Sequence, residues 1–486
     1  MRHHLQRLTA PADQLQLTSW LFLRLLAVIY GIAFVSLAVQ VAGLAGPQGI
    51  LPIDSYMADV EAAIGRPAAW LWMPSLFWLT GGSDLMLQAV AYLGAFLALA
   101  LFLGRWERPA LIALFLLYLS LYHACQVFTN FQWDTLLLET GFLAIFLVDG
   151  PSRLLIFLFE WLLFRLRFMS GAFKLLSGDP SWSSLTTLDY YFETQPLPHT
   201  GSWYAHLLPE WLLRSGTGLT LFSELIVPFF IFLPRPFRLA AVAITLLMQL
   251  LIIATSNHNF INLLTILLCL FLLDDRIVGR LLPRRAAMQA ARQPRQPGRV
   301  NGLLVSLSAL LIVPSSLIGF TSQALRQPAP APLQAYSDAV RRYGIGNIYH
   351  VYPTMQTQRQ ELIIQGSQDG KDWKTYAFKY KPGDPARRPP FNVPHQPRLD
   401  WMMWFVPTQQ PVQLFWFGKF MQRLHEGSSS VTALLAVDPF ADRPPRYLRV
   451  LAYRYRFTTP SERAASGDWW RRTYLGEFPR VAPRRP

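Results

Sequence analysis

Cysteine is nearly absent. The 486 residues hold two, Cys125 and Cys269, each inside an apolar run. Two cysteines so placed exclude a disulfide framework, and the last third of the chain, which has none, must hold together by packing alone. Charge is also scarce: Asp, Glu, Lys and Arg make up 15%, against about a quarter in ordinary soluble domains. No Asn-x-Ser/Thr acceptor occurs, and there is no G-x-S-x-G, H-E-x-x-H, phosphate-binding loop or dinucleotide fingerprint. The nine histidines are scattered, and neither His395 nor His425 has a partner at ligand spacing. No metal and no cofactor is therefore expected.

What is present in excess is apolar. Hydrophobic residues reach 52% and the mean hydropathy is +0.25 over the whole chain. A helix needs about 20 apolar residues to cross the hydrocarbon core. That rule predicts nine spans, near 19–44, 84–104, 108–127, 134–149, 154–175, 216–234, 238–256, 259–274 and 301–320. The run 67–81 is short, is interrupted by Pro74, and reads as re-entrant or interfacial. The first apolar run, Trp20 to Leu44, is too long for a cleaved signal core and is expected to remain as a membrane helix. No internal repeat and no pair of broken helices points to a transporter.

The net charge of +15 does not imply nucleic acid, because much of the excess lies in short loops between apolar runs. If Arg2 and Arg7 are cytoplasmic, nine spans put Arg105 to Arg108, Arg153, Arg235 to Arg238 and the basic loop 275–300 on the same side. The opposite loops are poor in basic residues, as membrane insertion favours. The expectation is a transmembrane domain over 1–320, a linker over 321–340, and a soluble extracytoplasmic domain over 341–486. Absent sequons, few lysines and an uncut first helix suit a bacterial inner membrane; in a eukaryote the membrane would be the endoplasmic reticulum.

Charges inside spans are costly and tend to face a protein interior or a wet cavity. The fifth span carries Glu160, Arg167 and Lys174 seven residues apart, hence along one helix face. Asp134 and Glu139 lie in the fourth span, Glu224 in the sixth, and Asn257 and Asn259 open the eighth. These residues form a candidate intramembrane polar site, with buried ion pairs that set helix register as the equal alternative. Lys174 is the only lysine in the first 370 residues of a chain that otherwise writes its positive charge as arginine. It is a candidate titratable amine or a lysine snorkelling from a helix end. The outward loop 176–215 is rich in Trp, Tyr and Pro. It reads either as an interfacial aromatic belt or as a platform for another molecule.

From about 340 the pattern changes. ELIIQGS alternates, Asp369-Gly370 marks a turn, and WKTYAFKY alternates again. PPRYLRVLAYRYRFT is a further strand, while VQLFWFGKFMQRLHEG and SVTALLAV read as helices. The arginines at 446, 449, 454 and 456 line either a solvated strand face or a basic patch for headgroups or a client. The fold class is a polytopic α-helical membrane bundle of about nine spans with a C-terminal extracytoplasmic α+β domain, rich in sheet and sandwich-like.

Several long motifs carry a resemblance. They are GPQGILP (46–52), NFQWDTLLLETGFLAIFL (130–147), FRLRFMSGAFKLLSGDPSWSSLTTLDYYFETQPLPH (164–199), SNHNFINLLT (256–265), PHQPRLDWMMWF (394–405), DPFADRPPRYLRVLAYRYRFT (438–458) and WWRR (469–472). In these, and in their order, the chain resembles the lipase maturation factor family. The resemblance implies an endoplasmic-reticulum-type membrane protein with a lumenal C-terminal domain that helps secreted homodimeric lipases fold and assemble. Its implied partners are the lipid bilayer and secreted, lipase-like clients. Motif residues Trp182, Asp189, Tyr190, Tyr191, Arg398, Asp400, Trp401, Trp404, Trp469 and Trp470 become candidate client contacts. SGAFKLLSGDPSW also resembles a segment of the vitamin-K-dependent gamma-glutamyl carboxylase, where the lysine matching Lys174 is the catalytic base. Phe173 replaces that segment's first lysine, and residues are inserted before Trp182. The alternative this implies is a membrane enzyme with a site centred on Lys174, acting on a lipid- or quinone-like substrate.

Overall fold

The computed structural model describes residues 10–283 and 295–479. Arg2, Arg7 and three arginines of the expected basic loop (Arg284, Arg285 and Arg292) lie outside the described residues. The bundle is built from α1 (Gln16–Ala38), α2 (Asp84–Phe102), α3 (Glu107–Ala124), α4 (Gln132–Leu147), α5 (Arg153–Leu176), α6 (Glu210–Leu225), α7 (Arg235–Thr255), α8 (Ile261–Leu268) and α9 (Arg299–Ala324). A helix therefore occupies each of the nine predicted regions.

Among the described residues, five helical segments are long and apolar enough to cross a membrane: Asp13–Ala38, Asp84–Phe102, Glu210–Phe232, Arg235–Thr255 and Arg299–Ala324. The other four regions differ for stated reasons. α4 has 16 residues and carries Asp134 and Glu139, and the apolar run Ile261–Leu272 is shorter still. α3 is only 18 residues long and opens on Glu107 and Arg108. α5 has ample length, 24 residues, but is interrupted by charge at Glu160, Arg165, Arg167 and Lys174. The stretch 67–81 breaks into two helices, Arg66–Trp72 and Phe77–Thr80, too short to cross.

The bundle's outside is apolar as well as its inside. Leu93, Phe96 and Leu99 on α2, Leu247 and Leu250 on α7, and Leu303, Leu307 and Leu310 on α9 are all exposed. In water such stripes would be a liability; in hydrocarbon they face their own solvent. The chain is an integral membrane protein. α1 is central: Phe22, Leu26, Tyr30, Ala33, Phe34 and Leu37 are fully buried. Small residues let helices meet. A Cβ on Gly141 would lie 1.7 Å from the Tyr30 hydroxyl, and one on Gly94 would overlap the Phe34 ring.

After α9 the chain turns into α10 (Ala331–Arg342), which lies against α9 through a Tyr336 hydroxyl donated to the Leu310 carbonyl at 2.6 Å. The residues read as a linker are thus partly helical. The sheet follows, with β1 (Arg359–Ser367), β2 (Lys374–Thr375), β3 (Tyr447–Phe457) and β4 (Trp470–Glu477) in the order β2-β1-β3-β4. Every pairing is antiparallel, and β1 meets β3 with Ile363 opposite Leu451. Among the described residues the sheet is single, so the sandwich expectation is corrected. Its buried face (Leu362, Ile364, Val450, Ala452) packs on helix and bundle instead of on a second sheet.

The turn at Asp369-Gly370 forms as read: the Asp369 carboxylate accepts from the Lys371 and Asp372 amides, and Gly370 has φ 76°. β2 stops after two residues because Tyr376 and Phe378 turn into the core. α11 (Arg398–Met403) and α12 (Pro411–Glu426) complete this part. Trp416 of α12 packs edge-on to Phe128 at 5.6 Å. One continuous hydrophobic cluster runs from Phe22 in α1 to Trp416 and Val450.

Candidate functional site

The polar residues of the bundle do not gather at one point. Asp134, at the start of α4, is fully buried and paired with Arg398 of α11. The contact is bidentate, 2.6 Å from Nη1 to Oδ2 and 2.7 Å from Nη2 to Oδ1, with the Tyr118 hydroxyl donating to Oδ1 at 2.6 Å. Arg398 also donates to the Phe128 carbonyl at 3.0 Å. A planar guanidinium on a carboxylate is the strongest form of such a pair. Beside it Trp133 and Trp401 stack edge to face at 5.1 Å.

One turn and a half along α4, Glu139 pairs with Arg165 of α5, both fully buried. The Tyr349 hydroxyl reaches Glu139 at 3.3 Å, and Arg165 donates to the Asn347 carbonyl at 2.9 Å. The next set is Lys174, Arg167 and Glu224. Lys174 Nζ lies 2.7 Å from Glu224 Oε2, and Arg167 Nη1 lies 3.6 Å from Oε1. Arg167 also bonds the Ser223 hydroxyl. Lys174 donates to the Val351 carbonyl at 2.7 Å and the Ser170 carbonyl at 3.4 Å. Three acceptors thus surround its three N–H groups. Its ammonium also sits 5.1 Å from the Trp182 ring.

A single segment links these sets. Residues 344–349 are buried, and together with residues 350–352 they form a strap across α4 and α5. Asn347, Tyr349 and Val351 each satisfy a different part of the charged interior. Gly344 and Gly346, at φ 72° and 66°, make the approach close enough. A Cβ on Gly344 would lie 2.6 Å from Leu138. Two glycines among apolar residues were the available signal for this strap, and sequence reading missed it. Arg165, Tyr118 and Ser223 also act here without having been chosen as site residues.

The remaining candidates anchor the same union. Asn257 donates to the Pro390 carbonyl at 2.9 Å and accepts from the Asn392 amide at 3.0 Å. Asn259 donates to the Gln396 side chain at 3.0 Å. Glu160 stands apart, 3.7 Å from Arg238. Among the proposed client contacts, Trp182, Arg398, Asp400, Trp401, Trp469 and Trp470 are buried. Asp400 accepts from the Tyr380 and Lys381 amides, Trp404 Nε1 donates to the Thr194 carbonyl at 2.6 Å, and Trp469 packs on Trp203 at 5.6 Å. Asp189, Tyr190, Tyr191 and Trp404 are half-buried.

Beside Lys174 lies a cavity of about 410 Å³ between α5, α6, α7 and the helix Thr187–Thr194. In its lining the Tyr191 hydroxyl meets His258 Nε2 at 2.8 Å and Ser256 Oγ at 3.0 Å. Burial, and then the Lys174 charge, push His258 down to about 3, while burial pushes the Tyr191 phenol up. Both are neutral near pH 7, and neither is poised to exchange a proton there. No group of three or more His, Cys, Asp or Glu residues among the described residues is placed to hold a metal ion.

These features define an integral membrane bundle whose charged interior is neutralised partly by its own C-terminal segment. The "Lipase maturation factor transmembrane domain" pattern matches residues 17–280, and the "Lipase maturation factor C-terminal domain" pattern matches 345–480, starting at the strap. Lipase maturation factor 1 of Mus musculus is 34% identical across 95% of this chain and 86% of its own length. Its Homo sapiens counterpart is 32% identical across 95% and 87%. Lipase maturation factor 2 of Xenopus laevis is 33% identical across 94% and 81%. The chain belongs to the lipase maturation factor family. No solved structure matches it.

Two predictions follow from this geometry. Arg398→Met leaves Asp134 buried without its partner and should lower stability by about 3–5 kcal/mol. Adding Asp134→Leu should restore most of that loss, as read by thermal unfolding of the detergent-solubilised protein. The second concerns pH. Burial holds His258 at about 3 and His395 at about 4, against 6.5 for a free imidazole. The unfolded chain therefore binds protons that the fold refuses, so stability is whole above about pH 6.5 and drains as pH falls below it. The unfolding temperature should fall between pH 7 and pH 5, and His258→Gln should flatten that slope.

Proposed function

We propose that this protein is a membrane-anchored maturation factor that assists secreted proteins such as lipases to fold or assemble. The observation that carries the reading is the family match along nearly the whole chain, through both the transmembrane and the C-terminal patterns. The geometry supports it in a second way. The sheet is clamped to the bundle by buried pairs and so presents a rigid face. Of its exposed side chains, Tyr447 and Tyr474 lie on one side and Arg454 and Arg456 on the other, and tyrosine and arginine are the residue types enriched where proteins bind one another. The exposed side chains of β3 and β4 are the client surface we favour over the buried tryptophans. Lys174, held by Glu224 and by the Val351 and Ser170 carbonyls, acts here as a structural tie between bundle and strap.

Removing the gene should lower the specific activity of a secreted lipase while its total protein is still made. Unchanged specific activity across all secreted hydrolases would sink the proposal.

The proposed orientation keeps the N-terminus in the cytoplasm and the C-terminal domain outside it, in the periplasm if the membrane is a bacterial inner membrane. The support is the loop charge bias of a chain rich in arginine. A membrane-impermeant thiol reagent should label Ser461→Cys in intact spheroplasts and should reach Gln289→Cys only after lysis. The reverse pattern rejects the orientation.

A further inference from the structure

The cavity beside Lys174 has walls of one kind and a floor of another. Phe192, Leu213, Leu219, Met248 and Ile252 form apolar walls. Leu208, Leu212 and Leu251 also line it and are exposed, so it opens sideways at α6 and α7, on the surface the bundle shows to lipid. Its about 410 Å³ lies in the range of sites that enclose one small ligand.

The floor carries an unbalanced charge. The acidic and basic side chains in the lining, apart from neutral His258, are Arg167, Lys174 and Glu224. Two basic side chains share one carboxylate, a formal excess of one positive charge in a low-dielectric setting, where an unpaired charge is costly. Lys174 has three oxygens about its ammonium, but Arg167 makes only a 3.6 Å contact with Glu224 and its Nε has no partner. Four further polar atoms in the lining lack a hydrogen-bond partner: Trp182 Nε1, Glu224 Oε2 (an ion-pair contact of Lys174), Asn262 Oδ1 and the Tyr352 hydroxyl. Trp182 and Asn262 are 3% and 1% exposed. Native proteins rarely leave so many buried polar atoms unmet in one place.

We infer that this cavity is a binding site for a long-chain carboxylate, a free fatty acid that enters from the bilayer through the α6–α7 opening. Its single negative charge balances the excess cation, and its carboxylate oxygens accept from Arg167 and Trp182. The acyl chain lies along the leucine walls towards the lipid. A diacyl phospholipid brings a second chain and a bulkier head than this volume accommodates. The site is independent of the client surface on the sheet.

The test uses the full chain in phosphatidylcholine nanodiscs, titrated with tritiated oleate. One saturable site per chain is expected, with oleyl alcohol, which lacks the charge, at least about ten-fold weaker. Leu219→Trp, which fills the cavity, should abolish binding. Arg167→Gln should erase the preference for oleate over the alcohol while leaving the alcohol's own affinity. Should either variant fail to fold, a photoreactive oleate on the unaltered protein decides: it should label peptides of α6 and α7. No saturable binding, equal affinity for the alcohol, labelling elsewhere, or displacement of oleate by phosphatidylglycerol in the disc each overturns the inference.

Discussion

The bidentate contact between Asp134 and Arg398 is the constraint on which the rest depends. Each side chain sits where an isolated charge would be intolerable, and the two are 264 residues apart in sequence. The pair is therefore formed only when the C-terminal segment is docked. The same holds for the strap: Asn347 and Val351 supply carbonyls to Arg165 and Lys174, and Tyr349 supplies a hydroxyl to Glu139. A bundle without this segment would hold two cations short of acceptors and a carboxylate short of its cation. Hydrophobic packing reinforces the union, since one core cluster crosses it, but the charges make it obligatory.

This arrangement explains why the long motifs pair up across the chain. The aspartate of NFQWD meets the arginine of PRLDW, and of the asparagines of SNHNF one holds the segment just before PHQPR and the other the glutamine within it. Trp203 and Trp469 join the aromatic loop to the sheet, as Trp404 does through Thr194. Motifs that read as surfaces for a partner are largely the two halves of an internal interface. What remains available outside is the exposed part of β3 and β4, with Tyr447 and Tyr474 on one side of the strands and Arg454 and Arg456 on the other.

The charged stripe on α5 had a mixed outcome. Its heptad spacing put Glu160, Arg167 and Lys174 on one face, but the face crosses two environments. Glu160 pairs with Arg238 at one end of the helix, while Arg167 and Lys174 converge on Glu224. Periodicity reports direction around a helix axis. It does not report which neighbour lies opposite, and that neighbour decides between a tie and a vacant floor.

By itself the sequence determined membrane embedding, the positions of the nine helical regions, the turn at Asp369-Gly370 and the family, because apolar run length, glycine conformation and long ordered motifs are local properties. Tertiary structure alone decided that the described strands form one sheet, that the strap crosses the bundle, and which charges meet. Those outcomes depend on contacts between residues hundreds of positions apart, and a buried charge, unlike an apolar run, acquires its meaning only from the partner brought to it.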